Sequence, residues 1–272
     1  MNTIELKEKS KEIRKTLLTS IYESGAGHLG GSLSWIEVCA TLFFKQLDLD
    51  GNKKDIFILS KGHTVPTLYS ALAIRGDIDK SLLKTLRKTE SSLEGHPVFG
   101  THPLIHASTG ALGQGLSVGL GYAISKKILK KDGRIYVLLG DGECQEGQIW
   151  EAAMSASKLV SEDNMSGITA IVDFNKVQGD SFVLDAMPSF HQLKEKWESF
   201  GWYVQEVDGH NVEELCDAYT NAEEEKSKPS VIIAHTKKGK GISFMEDDPI
   251  KWHGGSLDEE TYNNAIAEVE RQ

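Results

Sequence analysis

Residues 135–147 read Ile-Tyr-Val-Leu-Leu-Gly-Asp-Gly-Glu-Cys-Gln-Glu-Gly. The first five are apolar or β-prone, the next three make a glycine-flanked aspartate, and helical spacing follows over 149–160. This is a strand running through a tight turn into a helix. Four further runs resemble its strand: IFIL at 56–59, ITAIVD at 168–173, WYVQEV at 202–207 and SVIIAH at 230–235. Each is nearly continuous in apolar or β-branched residues, as strands covered on both faces are. Helical patterns at 112–129, 149–160, 190–200 and 212–225 separate them. That alternation predicts an α/β fold, a parallel sheet with helices on both faces joined by right-handed crossovers. Ligands of such sheets bind outside the C-terminal ends of the strands.

Upstream, Ile13, Leu17 and Ile21 mark one face of a first helix ending near Gly25. Ser34-Trp35-Ile36-Glu37 reads as a capping box opening a helix through Phe44, and a last helix is predicted from about Asp258 to Arg271. Two domains of roughly 150 residues would account for the 272 residues, but open α/β sheets of this size also form one unit. With no repeat or Pro/Gly/Ser linker to divide the chain, a single domain over 1–272 is expected.

With 30 basic against 40 acidic side chains, the formal charge of -10 gives no sign of the basic patch a nucleic-acid partner requires. Cys39, Cys144 and Cys216 are too scattered for a disulfide framework or a cysteine metal site, which suits a reducing cytoplasm. The N-terminus is charged and lacks the apolar core of a signal peptide, and no apolar run is long enough to span a membrane. The expectation is a cytoplasmic chain with no membrane partner.

At the end of the 135–139 strand, Gly140 and Gly142 let backbone approach a ligand closely, and the helix start beyond suits an anion such as a diphosphate. Asp141 between them is an exposed hard-oxygen ligand of the kind Mg²⁺ or Ca²⁺ takes. A tight turn with an N-capping aspartate fits the Gly-Asp-Gly motif equally well. The 168–173 strand ends in Asp173-Phe174-Asn175-Lys176-Val177, so adjacent parallel strand ends could set the Asn175 amide beside Asp141. The pair is more specific than either residue alone.

On these residues the chain resembles the transketolase family of thiamine diphosphate enzymes, over essentially its whole length and in their N-terminal, diphosphate-binding half. The resemblance implies that Asp141, the Asn175 side chain and the Val177 carbonyl hold Mg²⁺, for which Ca²⁺ or Mn²⁺ can substitute. Two departures are visible: the loop 161–167 lengthens the spacing, and Phe174 stands where related motifs often carry another Asn. Ser60-Lys61-Gly62-His63 matches the family's Ser-x-Gly-His, implying that His63 contacts the diphosphate. Ser108-Thr109-Gly110-Ala111-Leu112-Gly113-Gln114-Gly115 resembles Thr-Gly-Pro-Leu-Gly-Gln-Gly, implying that Gly110, Ala111 and Leu112 line the thiamine. A glycine-rich helix start serving close packing is the alternative. Gly142 would add a backbone N–H to the diphosphate.

Gly27-His28-Leu29-Gly30, Gly95-His96-Pro97 and Trp252-His253-Gly254 also match family positions. The resemblance places His28, His63, His96 and His253 around the reactive carbon, binding donor hydroxyls and moving protons. Imidazole suits this because its unperturbed pKa of about 6.5 lies near working pH. His102, His106, His191, His210 and His235 have no such assignment, and Cys144 reads as a small turn residue. Glu146 and Glu151 are read as one turn or more into the helix after Gly-Asp-Gly, where an acidic residue in a first turn is an ordinary dipole partner. The resemblance gives Glu146, and with it Glu151, a further role in a carboxylate network at a subunit interface that links two active sites. Lys237-Lys238-Gly239-Lys240-Gly241 matches a loop closing over the cofactor, and a solvated basic loop is the alternative.

A complete transketolase continues into pyrimidine-binding and C-terminal domains, to which nothing here corresponds. The glutamate that activates the aminopyrimidine and the arginines that select sugar phosphates belong to those domains. The implied protein is the N-terminal subunit of a split transketolase, moving a two-carbon ketol unit from a ketose (phosphate) to an aldose. Its partner would be a separately encoded chain carrying the pyrimidine-binding domain, in a dimer of heterodimers. Alternatives are the diphosphate subunit of a 2-oxoacid dehydrogenase, a deoxyxylulose-phosphate-synthase-like enzyme, or a non-catalytic assembly or regulatory subunit. A nucleotide-binding protein is disfavoured, since neither a Walker A motif nor a GxGxxG follows a strand.

Overall fold

A computed structural model describes residues 1–51, 54–163 and 167–272. Five strands form its main sheet: β1 (Ile56–Leu59), β2 (Ile135–Gly140), β3 (Ile168–Phe174), β4 (Tyr203–Asp208) and β5 (Ser230–His235). They are all parallel, in the order β1-β2-β3-β5-β4. Strands β1, β2 and β3 are buried along their whole length, whereas β4 is mostly part-exposed, as an edge strand is. Each apolar run of the sequence therefore becomes a strand, with ends moved by at most one residue.

The period-two alternation of the strands divides the core. Phe57, Leu59, Tyr136, Leu138, Ile171 and Ile232 face one way, against α1 (Thr3–Ser24), α4 (Val65–Arg75), α8 (Val212–Glu224) and α9 (Glu259–Glu270). Ile58, Val137, Leu139, Ala170, Val172 and Ile233 face the other, against α5 (Gln114–Ile128), α6 (Gly147–Asp163) and α7 (Leu193–Ser199). Two separate apolar layers thus hold the sheet between them. Among the described residues no helix is long and apolar enough to cross a membrane.

Three expectations change. Residues 190–200 are not one helix: a 3₁₀ segment, Pro188–Gln192, precedes α7. Helix α4 has no sequence signature because it is buried on nearly every side, and a helix without a polar face shows no 3.6-residue period. Its Pro66 lies in the first turn, where the missing N–H costs nothing. The capping box at Ser34–Glu37 does not form. The chain there breaks into α2 (Leu29–Leu33), α3 (Ile36–Thr41) and a π-helical turn, Leu42–Gln46, with no side-chain cap at α3. The Ser34 hydroxyl donates instead to Gly31 O (2.9 Å) and Asp173 Oδ2 (2.6 Å). Tertiary partners outcompete the local ones, and a capping box is found at Asn2 and Glu5.

Glu37 has its own distant partners. Buried at 8% exposure, it accepts from Arg14 Nη2 (2.5 Å) and pairs with His210 Nδ1 (2.9 Å). His210 Nε2 in turn accepts the Lys237 N–H (2.8 Å), so this cluster anchors the loop after β5. Burial pushes the Glu37 carboxyl up, but Arg14 and His210 outweigh it and hold the pKa at about 2. A folded pKa below the unfolded value means a stabilisation present above about pH 4.5 that is lost as pH falls toward 2. Glu37→Gln strands the Arg14 charge in the interior and is expected to cost about 3–5 kcal/mol at pH 7. Urea midpoints at pH 7 and pH 3 check this: the wild type should lose its advantage over the variant at the lower pH. Equal midpoints at pH 7 would remove the pair from the stability of the fold.

Candidate active site

The C-terminal ends of β1, β2, β3 and β5 open onto a cavity of about 540 Å³. The loop after β1 contributes Lys61 and His63, and the turn after β2 contributes Asp141 to Glu143, Gln145 and Glu146. After β3 come Asn175 and the two-stranded ladder of Val177–Gln178 with Ser181–Phe182, and after β5 comes Lys238. His28, His96 and His253, far apart in sequence, complete the wall.

The register of β2 on β3 sets Gly140 beside Asp173, so the strand ends carrying Asp141 and Asn175 are adjacent. Asp141 is 2% exposed; its Oδ1 accepts from the Gly142 N–H (2.8 Å) and its Oδ2 from the Lys176 N–H. Burial, reinforced by nearby Asp173, raises its pKa to about 7 despite those two N–H donors. Asn175 Oδ1 accepts from the Val177 N–H (3.1 Å), and Asn175 Nδ2 donates to Asp173 Oδ2 (2.9 Å). The Val177 carbonyl accepts from Lys238 Nζ (3.1 Å), a cation against an oxygen of the predicted metal set. Carboxylate, amide oxygen and backbone carbonyl are the hard donors a divalent cation of the Mg²⁺ or Ca²⁺ type takes. A buried carboxyl with a raised pKa gains from a cation beside it. The donor set therefore fits the ion. Among the described residues no cluster of three or more His, Cys, Asp or Glu is placed to hold a metal.

Two buried ammonium groups give the cavity floor positive charge. Lys61, 2% exposed, pairs with Asp173 and donates to Gly31 O (3.2 Å). Lys238, also 2% exposed, reaches Val177 O and His253 Nδ1 (2.6 Å). Burial, and then the charge of Lys61, lower the Lys238 pKa to about 8. The Lys237–Gly241 loop is pinned from several sides: Gly239 N donates to Gly30 O (3.1 Å) and Arg14 Nε to Lys240 O (3.1 Å). Lys238 is thus separated from its neighbours Lys237 and Lys240 by burial. Composition alone could not make that distinction.

The imidazoles of His28, His63 and His253 form a triangle with ring centroids 5.0, 5.5 and 5.9 Å apart. His96 stands over Gly110, which has φ +143°; a Cβ there would lie 3.0 Å from the His96 ring, so glycine is required on both counts. All four titrate below the ordinary histidine value. Burial is the first cause in each case, aided by Arg87 for His28 and His96, by Lys61 for His63, and by Lys238 for His253. His63 falls to about 2 and His253 to about 4. The free-imidazole pKa of about 6.5 does not carry over: these rings are neutral at pH 7 and weaker bases than free histidine, and on His253 the Nδ1 lone pair is taken by Lys238, leaving Nε2 as an N–H donor.

The remaining predictions divide. Gly110 and Leu112 line the cavity, whereas Ala111 is exposed outside the lining. The Gly142 N–H, assigned to a diphosphate, is engaged by Asp141. Glu146 is not inside a helix: it is extended (φ -68°, ψ 125°), exposed, and packed where a Cβ on Gly113 would come within 2.7 Å of its own. Helix α6 begins only at Gly147, after a 3₁₀ turn, and Glu151 lies exposed on it. The lengthened loop 161–167 falls partly outside the described residues. Cys144 is buried and its thiol pKa is pushed well up by burial, as suits an inert turn residue. His102, His106, His191, His210 and His235 do not line the cavity.

Sequence reasoning missed Glu143 and Asp173. Glu143 accepts from Ser60 Oγ (2.5 Å), the Gly113 N–H (2.9 Å) and the Gly140 N–H (3.0 Å), clamping three cavity loops together. Asp173 accepts from Lys61, Ser34, Asn175 and Thr236. The only sequence signal for either was an acid at the end of an apolar strand or in a glycine turn.

The family model described as the thiamine diphosphate-binding domain of transketolase matches residues 6–269. A 6-deoxy-6-sulfo-D-fructose transketolase subunit of Clostridium sp. (strain MSTE9) is 39% identical over 99% of this chain and 98% of its own. An apulose-4-phosphate transketolase subunit of Phocaeicola vulgatus is 38% identical, over 99% and 94%. The crystal structure of Campylobacter jejuni transketolase superposes with a TM-score of 0.89 at 29% identity, covering 99% of this chain and 43% of that one.

Proposed function

This chain belongs to the transketolase family by its thiamine diphosphate-binding domain, and from that premise we propose that it is the N-terminal subunit of a split transketolase. The observation that carries the reading is one cavity joining a hard-oxygen metal set, two buried ammonium groups and four neutral imidazoles. The proposed assembly is a dimer of heterodimers with a separately encoded chain that carries the pyrimidine-binding domain. This chain contributes one diphosphate-binding domain over 1–272. Two relatives that this chain matches over 94% or more of their length are named as subunits, which supports a partner.

Asp141, Asn175 and the Val177 carbonyl would hold Mg²⁺ against the diphosphate. Lys61, Lys238 and His63 would meet the remaining phosphate charge, and Gly110 and Leu112 would flank the thiazolium. Thiamine diphosphate, when bound, supplies the nucleophilic carbon and the electron sink that two-carbon transfer requires. The protein's part is orientation and proton handling. His28 and His253 would bind the hydroxyls of a ketose or ketose phosphate donor. His28, His63, His96 and His253, held neutral by burial and nearby cations, can each offer a ring N–H to a hydroxyl or phosphate oxygen; to move protons near pH 7 they need a bound anion that brings their lowered pKa back up. Glu146, exposed at the cavity rim, is available to a neighbouring subunit.

The test is donor class. With its partner chain, thiamine diphosphate and Mg²⁺, the protein should move a two-carbon unit from a ketose to an aldose and leave 2-oxoacids unconsumed, as followed by chromatography of the sugars. Turnover of 2-oxoacids with no transfer from ketoses would replace this reading with that of a 2-oxoacid dehydrogenase subunit.

A further inference from the structure

Asp173, the penultimate residue of β3, is fully buried, yet its two carboxylate oxygens receive four donors. Ser34 Oγ (2.6 Å), Asn175 Nδ2 (2.9 Å) and Lys61 Nζ reach Oδ2, and Thr236 Oγ1 reaches Oδ1. Those donors come from four separate places: the turn between α2 and α3, the end of β1, the end of β3 and the end of β5. An ionised carboxylate is acceptor-only and takes about four donors, so this site is filled. No step assigned to the reaction uses Asp173, and its shielding by four partners keeps it from touching a substrate.

What Asp173 controls is the orientation of Asn175. With Nδ2 donating to Asp173, Oδ1 is turned the other way, toward the Val177 N–H (3.1 Å) and the cavity. A flipped amide would set its oxygen against the carboxylate and its NH₂ against the Val177 N–H. Both contacts are repulsive, so one orientation is held from two sides. Mg²⁺ requires near-ideal octahedral geometry at short distances, whereas Ca²⁺ accepts irregular and longer coordination. A fixed amide oxygen therefore favours the smaller ion.

We propose that Asp173 is a positioning residue that locks the Asn175 amide oxygen toward the metal and thereby sets the preference of the site for Mg²⁺ over Ca²⁺. The proposal rests on the metal reading given above, in which Asn175 is a ligand. Groups that orient metal ligands typically change metal affinity by about 10- to 100-fold when removed.

The experiment titrates MgCl₂ and CaCl₂ separately at saturating thiamine diphosphate, on the full chain with its partner. It reads the half-saturating metal concentration from tryptophan fluorescence, and the thermal midpoint without metal. Asp173→Asn alone would leave the Lys61 ammonium buried without its counter-ion, a severe destabilisation. Asp173→Asn with Lys61→Met removes both charges and leaves neither buried unpaired; because Lys61 is also assigned to the diphosphate, its loss shifts both metals alike, and the Mg²⁺/Ca²⁺ ratio is the deciding readout. Thr236→Val keeps the ion pair and removes one donor only. In the double variant the half-saturating Mg²⁺ should rise about 10-fold or more, Ca²⁺ should change less, and the Mg²⁺/Ca²⁺ preference should fall by about 5-fold or more. Thr236→Val should shift that preference in the same direction by about 2-fold, a result that stands even if the double variant fails to fold. A purely structural role would lower the thermal midpoint and leave the preference unchanged in every folded variant, overturning the proposal. Asp141→Ala serves as the separate control: if it binds Mg²⁺ as the wild type does, the metal reading itself fails.

Discussion

Asp141→Asn should abolish Mg²⁺-dependent binding of thiamine diphosphate and, in the same protein, raise the thermal midpoint of the metal-free chain at pH 8. Both effects follow from one carboxyl at 2% exposure. Its pKa is raised to about 7 because burial, and then Asp173, disfavour the charge. A folded pKa above the unfolded 3.8 has the opposite sign to that of Glu37. The folded state holds its proton more tightly, so stability is complete below about pH 3.8 and declines as pH rises toward 7. At pH 8 the ionised, buried Asp141 costs on the order of 4 kcal/mol. Asparagine carries no charge and keeps an oxygen for the Lys176 N–H, but its NH₂ then faces the Gly142 N–H, so part of that cost, a few degrees of the midpoint, should be recovered. The site trades stability for function. A divalent cation beside the carboxylate reverses the cost, so in the wild type metal affinity should strengthen as pH climbs through about 7 and level off above it. Calorimetric titration with Mg²⁺ at pH 6, 7 and 8, beside melting curves of the variant, checks each part. Metal-dependent cofactor binding by Asp141→Asn at wild-type affinity would move the metal elsewhere.

How much of this was legible in the sequence depends on whether neighbours in the chain or neighbours in space decide a residue's state. IFIL at 56–59 and SVIIAH at 230–235 became strands with unchanged ends, because a run buried on both faces carries its own signal. The adjacency of the strand ends that carry Asp141 and Asn175 was readable because neighbouring parallel strands end on the same side of the sheet, and the register sets Gly140 beside Asp173. Helix α4 was not readable: uniform burial erases the periodicity that marks a helix. Ser34 and Glu37 have the spacing of a capping box, but Asp173 and Arg14 claim their side chains, and neither partner is near in sequence. The histidines show the same limit in their chemistry. Their convergence came from family resemblance, while their neutrality comes from burial and from Lys61, Lys238 and Arg87, which only the folded chain brings near them.

Alone, the chain should show at most trace ketol transfer, and its partner should raise the rate by about 10²- to 10⁴-fold. The reason lies in which carboxylates of the cavity are free. In the family, a glutamate bonded to a ring nitrogen of the aminopyrimidine activates the cofactor. Positioned acid–base groups of that kind contribute about 10²- to 10⁴-fold. Here Glu143 is engaged by Ser60, Gly113 and Gly140, and Asp173 by its four donors. Asp141 accepts two backbone N–H groups and stands in the proposed metal set. Among the described residues lining the cavity, the acids left are Glu146 and Asp180, both exposed at its rim and so exposed to water as well. Leu112 (38% exposed) and Val118 (36%) add apolar surface on the chain segment that follows the cavity loop, where a second chain could exclude that water. Binding and chemistry should therefore separate: Mg²⁺ and diphosphate contacts belong to this chain, and the activating carboxylate to another. Stopped-flow transfer assays at a fixed concentration of this chain and rising concentrations of the partner should saturate at a defined ratio. Val118→Asp should weaken that association while leaving the fold and the cavity lining intact, since its side chain is already part-exposed and lies outside the cavity. Full transfer by the purified chain would mean that one of the rim acids, Glu146 or Asp180, performs the activation, and Glu146→Gln and Asp180→Asn would then identify which.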